Sequence, residues 1–235
     1  MKILHLYYDL MNLYGEYGNI KCLKKHMQDQ GFDVKVDKVS IGDKFEIDNY
    51  DFIYCGSGLE SSLKVALEDL KKHRNELIRA IDNNKHILFT GNAMELLGDS
   101  IDCAEGLKIV PIKTKTGDKR YTGDVVMFNK EFGEVVGFIN KSTTIYEDKE
   151  HYLFTYVFKD ANLNDGSEKE GYMINKLIGT HVIGPILVKN PRLMRFYVED
   201  IAKTLNKNFV YKDIDYPYEE DSYNVTLNAL KQRKI

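Results

Sequence analysis

The sequence predicts an α/β fold in which a mostly parallel central sheet carries helices on both faces and is extended by antiparallel strands. The first hundred residues alternate between strand-like and helix-like segments, which is typical of a doubly wound parallel sheet. After Gly98 the pattern changes to short strand-like runs separated by Gly, Asp and Lys, which indicates antiparallel pairing. No repeat or low-complexity linker divides the 235 residues, so we predict a single domain over 1–235.

The first half is predicted as strands and helices in turn. Apolar or alternating runs define the strands, and apolar residues at helical spacing define the helices. The carboxyl ends of parallel strands meet at one edge of a sheet, where binding sites form, so the glycine-containing turns after residues 55 and 90 are predicted to lie close together. The predicted elements are a strand at 2–7, a helix at 20–30, strands at 34–39 and 50–55, a helix at 60–81 and a strand at 87–90.

The second half is predicted to add strands and then to end in helices. Pro191 is a favourable first residue for a helix, and Gly184-Pro185 predicts a turn before it. The predicted elements are strands at 107–112, 121–128, 134–140 and 152–158, a polar loop at 162–171, a strand at 172–183, a helix at 191–205, an acidic tyrosine-rich tail at 211–222 and a helix at 225–232.

Composition excludes several classes of function. The net charge is −3, and the basic residues are spread along the chain, so nucleic acid is not an expected partner. Three cysteines without a CxxC pair favour a reducing compartment, and no apolar run reaches membrane-spanning length, so we predict a cytoplasmic protein with no membrane contact. The histidines lack metal-ligand spacing and no phosphate-binding loop is present, so neither a metal nor a cofactor is predicted.

Residues 84–98 form the most informative stretch. Ile87–Thr90 is an apolar, β-prone run, Gly91 breaks it, and 92–97 favours a helix that Gly98 can end. A strand, a tight turn and a helix are the elements of a nucleophile elbow, in which the backbone N–H groups at the helix start can hold an oxyanion. Here the tip is Gly91, which has no side chain to act as a nucleophile.

Several segments together resemble one family, the class I glutamine amidotransferase domain of the cobyric-acid-synthase-like (CobB/CobQ-like) group, and within it the lipid II isoglutaminyl synthase glutaminase branch. Each segment is a weak signal, but their shared order over about nine tenths of the chain makes the resemblance specific. It implies a flavodoxin-like α/β fold. The segments are 6–19, Gly56-Ser57-Gly58, 92–98, Arg120-Tyr-Thr-Gly-Asp124, Gly137-Phe-Ile-Asn140, 178–185 and Asn190-Pro191.

The resemblance implies a chemistry whose two central residues are missing. The family hydrolyses glutamine with a cysteine nucleophile and a histidine base and passes ammonia to a synthetase. Its cysteine falls on Gly91 and its histidine on Ile183, so no catalytic residue is expected at either position. The chain also has Ser57 where the family has glycine, Glu95 where it has glutamine, and Ile139 where glutamate is usual.

Substitute catalytic groups are conceivable but disfavoured. Cys55 ends a strand and His181 lies two residues before Ile183 on the same face, so a relocated Cys55–His181 pair is one candidate, against the more common role of an inert core cysteine. Ser57 is no stronger as a nucleophile, since a small residue in a turn explains it. Glu95 faces a pocket or is a solvated helix residue, and the solvated position is slightly favoured.

We predict a ligand pocket formed by Gly56, Ser57, Gly58, Asn92 and Glu95. The leading hypothesis for function is a non-catalytic or regulatory subunit of a Mur-ligase-like amide synthetase. The first alternative is an active glutaminase subunit that delivers ammonia through a rearranged site. The second is a sensor module that binds glutamine or another amino acid.

Overall fold

The computed structural model describes residues 1–147 and 151–233, and its strands form one continuous mixed sheet. The strands are β1 Lys2–Leu6, β2 Lys35–Val39, β3 Phe52–Cys55, β4 His86–Thr90, β5 Ser100–Ile101, β6 Ala104–Glu105, β7 Ile112–Asn129, β8 Gly133–Glu147, β9 Tyr152–Lys159, β10 Lys169–Ile174, β11 Leu177–Thr180 and β12 Val182–Ile183. The helices are α1 Tyr17–Asp29, α2 Glu60–Leu70, α3 Arg74–Asp82, α4 Ile186–Lys189, α5 Pro191–Leu205 and α6 Pro217–Gln232. No described helix is long and apolar enough to cross a membrane.

The sheet has a parallel half and an antiparallel half. Its order is β12-β8-β7-β9-β10-β11-β4-β3-β1-β2, with β5 attached to β7 and β6 paired to β5. The neighbouring strands β11, β4, β3, β1 and β2 run parallel to one another. Strand β11 is the junction between the two halves, because it pairs in parallel with β4 and antiparallel with β10. This arrangement brings the carboxyl ends of β3, β4 and β11 side by side. The alternation of strands and helices predicts this for β3 and β4, and the place of β11 beside β4 is a finding of the structure.

Each central strand is buried on both faces, which explains its nearly continuous apolar sequence. In β3 the side chains of Ile53 and Cys55 enter one hydrophobic cluster, whereas Phe52 and Tyr54 enter another. The first cluster includes residues of α2 and α3, and the second includes residues of α1, α4 and α5. Helices therefore cover both faces of the parallel half, and the predicted fold class is confirmed.

The antiparallel half is built on the long hairpin of β7 and β8, whose register shifts between Thr116 and Tyr121. The C-terminal helix α6 packs on this hairpin. Leu227 and Leu230 of α6 form a separate cluster with Val126 and Val136, which lie on the two strands. The segment predicted as an acidic tail at 211–222 is helical from Pro217 onward, because α6 begins there. Two glutamates lie in the first turn of α6, where a negative charge is favourable.

Three predicted elements differ from the structure. The helix predicted at 60–81 is two helices, α2 and α3, separated by a 3₁₀ turn at Lys71–His73. The strand predicted at 172–183 is three strands, because the chain turns back at Asn175 with a positive φ of 53°. The strand predicted at 107–112 is absent, since β7 begins only at Ile112.

The side chain of Asn190 ties the start of α5 to the antiparallel half. It accepts a hydrogen bond from the Val136 N–H at 2.8 Å, and its amide donates to the carbonyls of Val136 and Ile186, each at 2.8 Å. Asn190 and Val136 are both buried, so no water is available to replace these bonds.

We expect Asn190→Ala to lower the free energy of unfolding by about 2–4 kcal/mol, because it leaves the buried N–H and C=O of Val136 without partners. Urea unfolding measures the loss. The matched control is Asn208→Ala at an exposed position, which should change stability by less than about 0.5 kcal/mol. Equal effects of the two substitutions would contradict this role for Asn190.

Candidate functional site

The site is organised around the tip of the turn after β4. Gly91 ends the strand with φ of +60°, in the left-handed region that favours glycine, and begins a 3₁₀ helix, Gly91–Leu97. The sequence predicted an elbow followed by an α-helix at 92–97, and the structure has the turn with the tighter helix instead. The loop after β3, Gly56-Ser57-Gly58, and strand β12 lie against this tip.

There is no space for a side chain at Gly91. A Cβ atom there would lie 2.4 Å from Ser57 Cβ and 2.5 Å from Ser57 Oγ. It would also lie 3.0 Å from Cγ2 of Ile183. Gly91 and Ile183, where the resemblance places the family's nucleophile and base, are therefore adjacent in space, and Ser57 and Ile183 fill the volume that a side chain at position 91 would need.

Asn92 fastens the loop after β3 to the elbow. Its Oδ1 accepts hydrogen bonds from the Gly58 N–H at 2.9 Å and from the Ser57 hydroxyl at 3.2 Å, and its Nδ2 donates to the Gly58 carbonyl at 2.8 Å. These three hydrogen bonds hold the backbone of the loop after β3 against the elbow.

A buried carboxyl group lies beside the elbow. Glu16 is fully buried and accepts hydrogen bonds from the Thr90 hydroxyl, from the Gly184 N–H at 3.0 Å and from the Tyr54 hydroxyl at 3.1 Å. Burial raises the pKa of Glu16 to about 7, although these hydrogen bonds act in the opposite direction. The carboxyl connects the end of β4 to the turn after β12.

A cavity of about 550 Å³ opens beside the elbow, between the loop after β3, α2 and the β7–β8 hairpin. Ser57, Gly58, Asn92 and Glu95 line it. Arg120 and Asn140, which belong to two of the segments that carry the family resemblance, also line the cavity, and the Arg120 guanidinium donates to Asn140 Oδ1 at 2.6 Å. A cavity of this size accommodates a small metabolite.

The sequence interpretation of Glu95 as a solvated helix residue is wrong, because Glu95 is only 1% exposed. Its Oε1 accepts a hydrogen bond from the Thr143 hydroxyl at 2.6 Å and lies 3.1 Å from Nε2 of His181. His181 is also buried, and its Nδ1 lies 3.5 Å from Glu170 Oε1. Burial lowers the pKa of His181, but the neighbouring carboxyl groups of Glu170 and Glu95 outweigh burial and raise the pKa above the usual value.

The structure does not bring Cys55 and His181 together as a catalytic pair. The thiol of Cys55 makes one weak polar contact, to the carbonyl of Gly56 at 3.9 Å, and burial raises its pKa far above the usual range. A neutral buried thiol is a poor nucleophile. His181 instead contacts carboxylates, and no hydrogen bond joins it to Cys55 or to Ser57.

Four of the five predicted ligand-binding residues line the same cavity, and whether they bind a ligand stays a prediction. The fifth residue, Gly56, does not line the cavity. Its lack of a side chain serves packing, since a Cβ there would lie 2.7 Å from the Met11 carbonyl oxygen. Sequence reasoning missed Glu16, Thr143 and Glu170. Their partners are separated from them by 10 to 74 residues along the chain, so no local pattern signals these contacts.

One group of metal-ligand side chains occurs in the described part of the chain, although the sequence predicted none. Cys22, His26 and Glu219 bring their ligand atoms within 4.8 Å of one another. The His26 Nε2 lies 3.1 Å from both carboxylate oxygens of Glu219, and its ring stacks on Tyr216. These contacts join α1 to α6.

Comparisons with known proteins agree with this architecture. The chain belongs to the family of CobB/CobQ-like glutamine amidotransferase domains, whose model matches residues 2–191. The match covers the parallel half, the elbow and the antiparallel hairpin and ends at the first residue of α5.

Two curated relatives are similar over almost their whole length. One is the Lipid II isoglutaminyl synthase (glutamine-hydrolyzing) subunit GatD of Staphylococcus aureus, 28% identical over 243 residues that cover 100% of this chain and 98% of the relative. The other is the subunit of the same name from Streptococcus pneumoniae, 30% identical over 229 residues that cover 94% of this chain and 86% of the relative.

Solved structures share the fold at low sequence identity. PurLQS from Thermotoga maritima aligns with a TM-score of 0.58 at 15% identity, covering 87% of this chain and 99% of that one. The glutaminase domain of Trypanosoma brucei CTPS with bound acivicin aligns with a TM-score of 0.56 at 12% identity, covering 92% of this chain and 96% of that one. Both support the class I amidotransferase fold.

We expect Glu16→Gln to remove a pH dependence of stability. Because the folded-state pKa of Glu16, about 7, exceeds its ordinary value of 4.5, the folded protein holds the proton more tightly. The stabilisation is complete below about pH 4.5 and is lost as the pH rises to about 7. Over that range the wild type should lose about 3 kcal/mol relative to the variant. Urea unfolding at several pH values measures this difference.

The control for that experiment is Glu131→Gln, at an exposed position. Its stability relative to the wild type should stay constant between pH 4.5 and 7, the two pKa values given for Glu16. A constant difference between wild type and Glu16→Gln over the same range would show that the pKa of Glu16 is not raised.

Proposed function

We propose that this chain is a glutamine amidotransferase-like subunit without glutaminase activity, which acts by shaping or regulating a Mur-ligase-like amide synthetase. The packing at the elbow is the observation that carries the proposal. Covalent amide hydrolysis needs a nucleophile beside a base and a free oxyanion hole. Gly91 offers no nucleophile and Ile183 offers no base.

The packing argues that the loss is accommodated by the surrounding structure. Ser57 stands where the resembling family has glycine, and its side chain occupies the space beside Gly91 that a cysteine would need. A glycine at 57 and a side chain at 91 would fit together, as would a serine at 57 and a glycine at 91. The two positions therefore behave as a coupled pair.

The partner is inferred from the relatives. Both are named as subunits of a glutamine-hydrolyzing synthase, and this chain covers 98% and 86% of their lengths, so it retains nearly the whole of such a subunit.

The free cysteines Cys22, Cys55 and Cys103 fit a reducing compartment and support action in the cytoplasm. We place the whole chain in one domain, since the sheet is continuous from β2 to β12.

The direct test is ammonia release from glutamine by the purified chain, alone and with a co-purified ligase-like partner. We expect no release above background in either case, and co-purification of the partner in a stable complex. The control is Cys55→Ala, which should leave both results unchanged. Release that Cys55→Ala abolishes would contradict the proposal and support an active glutaminase with a relocated nucleophile.

The coupling of positions 57 and 91 gives a second test. Gly91→Cys should lower the free energy of unfolding by about 2–4 kcal/mol, because it adds left-handed strain to a clash with Ser57. Ser57→Gly combined with Gly91→Cys should recover most of the part that is due to the clash. Thermal or urea unfolding of both single variants and the double variant measures the coupling.

The same pair allows activity to be rebuilt. With the clash removed, Ser57→Gly, Gly91→Cys and Ile183→His together should release a trace of ammonia, whereas Gly91→Cys with Ile183→His should release none.

The stability test of positions 57 and 91 has its own contradicting outcome. Independent, additive stability effects at 57 and 91 would show that the two side chains do not compete for one space.

A further inference from the structure

Three side chains that can ligate a metal meet where α6 packs on α1, away from the elbow. The sulfur of Cys22, an imidazole nitrogen of His26 and a carboxylate oxygen of Glu219 all lie within 4.8 Å of one another. Cys22 and His26 are one helical turn apart on α1, so their side chains share one face of that helix. Glu219 approaches them from the first turn of α6. The set therefore forms only when α6 docks on α1, since 193 residues separate His26 from Glu219.

The spacing of these atoms is close to that of ligands on one zinc ion. With bonds of about 2.0–2.3 Å and tetrahedral angles, two ligand atoms on Zn²⁺ lie about 3.3–3.8 Å apart. His26 Nε2 already lies 3.1 Å from each carboxylate oxygen of Glu219. A rotation of about 30° around the Cα–Cβ bond moves the sulfur of Cys22 by about 1 Å, which is the adjustment that the third ligand needs.

The imidazole of His26 is held in a fixed orientation. Its ring stacks on Tyr216, with the ring centroids 4.1 Å apart and the planes at 27° to each other. The Tyr216 hydroxyl in turn donates to Asp29 Oδ2 at 2.7 Å, at the end of α1. Only 4% of His26 is exposed. A ligand whose orientation is fixed by its neighbours loses little conformational freedom when it binds an ion.

A cation from solvent can reach these ligands. A cavity of about 310 Å³ opens onto His26 and Glu219, and the Glu219 side chain is 27% exposed. Arg195 also lines this cavity, but it is paired with Glu199 and Asp213. The surplus of carboxylates attracts cations to the cavity. The carboxylates that line it are Asp213, Asp215, Glu219 and Glu220.

We propose that Cys22, His26 and Glu219 bind one Zn²⁺ ion, with a water molecule from the cavity as the fourth ligand. Thiolate and imidazole ligands suit zinc, whereas Mg²⁺ and Ca²⁺ take oxygen ligands. The ion replaces the proton between His26 Nε2 and Glu219. Burial raises the pKa of the Cys22 thiol, so the ion also displaces that proton into solvent. The bound ion clamps α6 to α1, and it does so independently of the elbow and of the proposed function.

The test measures metal binding by the full chain after dialysis against a chelator. We expect one Zn²⁺ per chain, with a Kd on the order of micromolar or lower, and no binding of Mg²⁺ at the same concentration. Zn²⁺ should also raise the unfolding temperature, because the ion binds only the folded arrangement of α1 and α6. Co²⁺ is the spectroscopic probe, since a cobalt–thiolate bond gives a charge-transfer absorption that oxygen and nitrogen ligands alone do not give.

Two pairs of variants locate the ion. Cys22→Ser should remove the Co²⁺ charge-transfer absorption and weaken Zn²⁺ binding by about 100-fold or more. Its control is Cys103→Ser, at an exposed cysteine, which should change neither. Glu219→Gln should weaken Zn²⁺ binding by about tenfold or more. Its control is Glu220→Gln, at the next residue of the same cavity, which should leave the Kd within about threefold.

The measurements on the wild type decide the matter even if a ligand variant fails to fold. A wild-type chain that binds no Zn²⁺ at about 100 μM free ion, or that gives no thiolate absorption with Co²⁺, would overturn the inference. Zn²⁺ binding that Cys22→Ser leaves unchanged, or that Cys103→Ser abolishes, would place the ion at another site and overturn it as well. Ammonia release from glutamine is a separate measurement, so either proposal can fail without the other.

Discussion

The structure of the site depends on one steric constraint, which is that nothing larger than a hydrogen atom fits on the α-carbon of Gly91. The side chain of Ser57 lies against that position from the loop after β3, and Ile183 closes it from β12. Three strand ends thus meet at a point where a close-packed interior leaves no void. The left-handed backbone of Gly91 permits the turn, and the missing side chain permits the contact.

The substitutions around this point are physically consistent with one another. Without a cysteine at 91, a serine at 57 fills the space instead of leaving a cavity, and Asn92 takes up the serine hydroxyl and the Gly58 N–H. An apolar isoleucine at 183 then packs where a titratable base would need a partner. Gly91, Ser57, Asn92 and Ile183 therefore form one packed unit in which each residue has a contact.

The sequence predicted the fold and the region of the site because both rest on local patterns. The β4 run, the break at Gly91 and the order of the family segments are visible along the chain. The environment of Glu95 was not predictable, because Thr143 and His181, which bury and bond it, lie 48 and 86 residues away. The turns that carry Ser57 and Gly91 were predicted to lie close together, but the direct contact between the two residues was not, since it depends on the register of β3 with β4. The break at Lys71–His73 was missed because apolar spacing continues through it.

The charged groups buried behind the cavity are held mainly by one another. Glu95, Glu170, His181 and the Lys141–Asp165 pair are nearly all withdrawn from water, and taking such groups out of water is costly unless each is well paired. Apolar residues of similar volume would fill the same space at equal or better stability. Glu95 Oε2 and His181 Nδ1 are the exceptions in this cluster, since both atoms are buried and neither has a hydrogen-bond partner. The surrounding packing therefore holds this cluster in place, and each ion pair offsets only part of the free-energy cost of burying its charges.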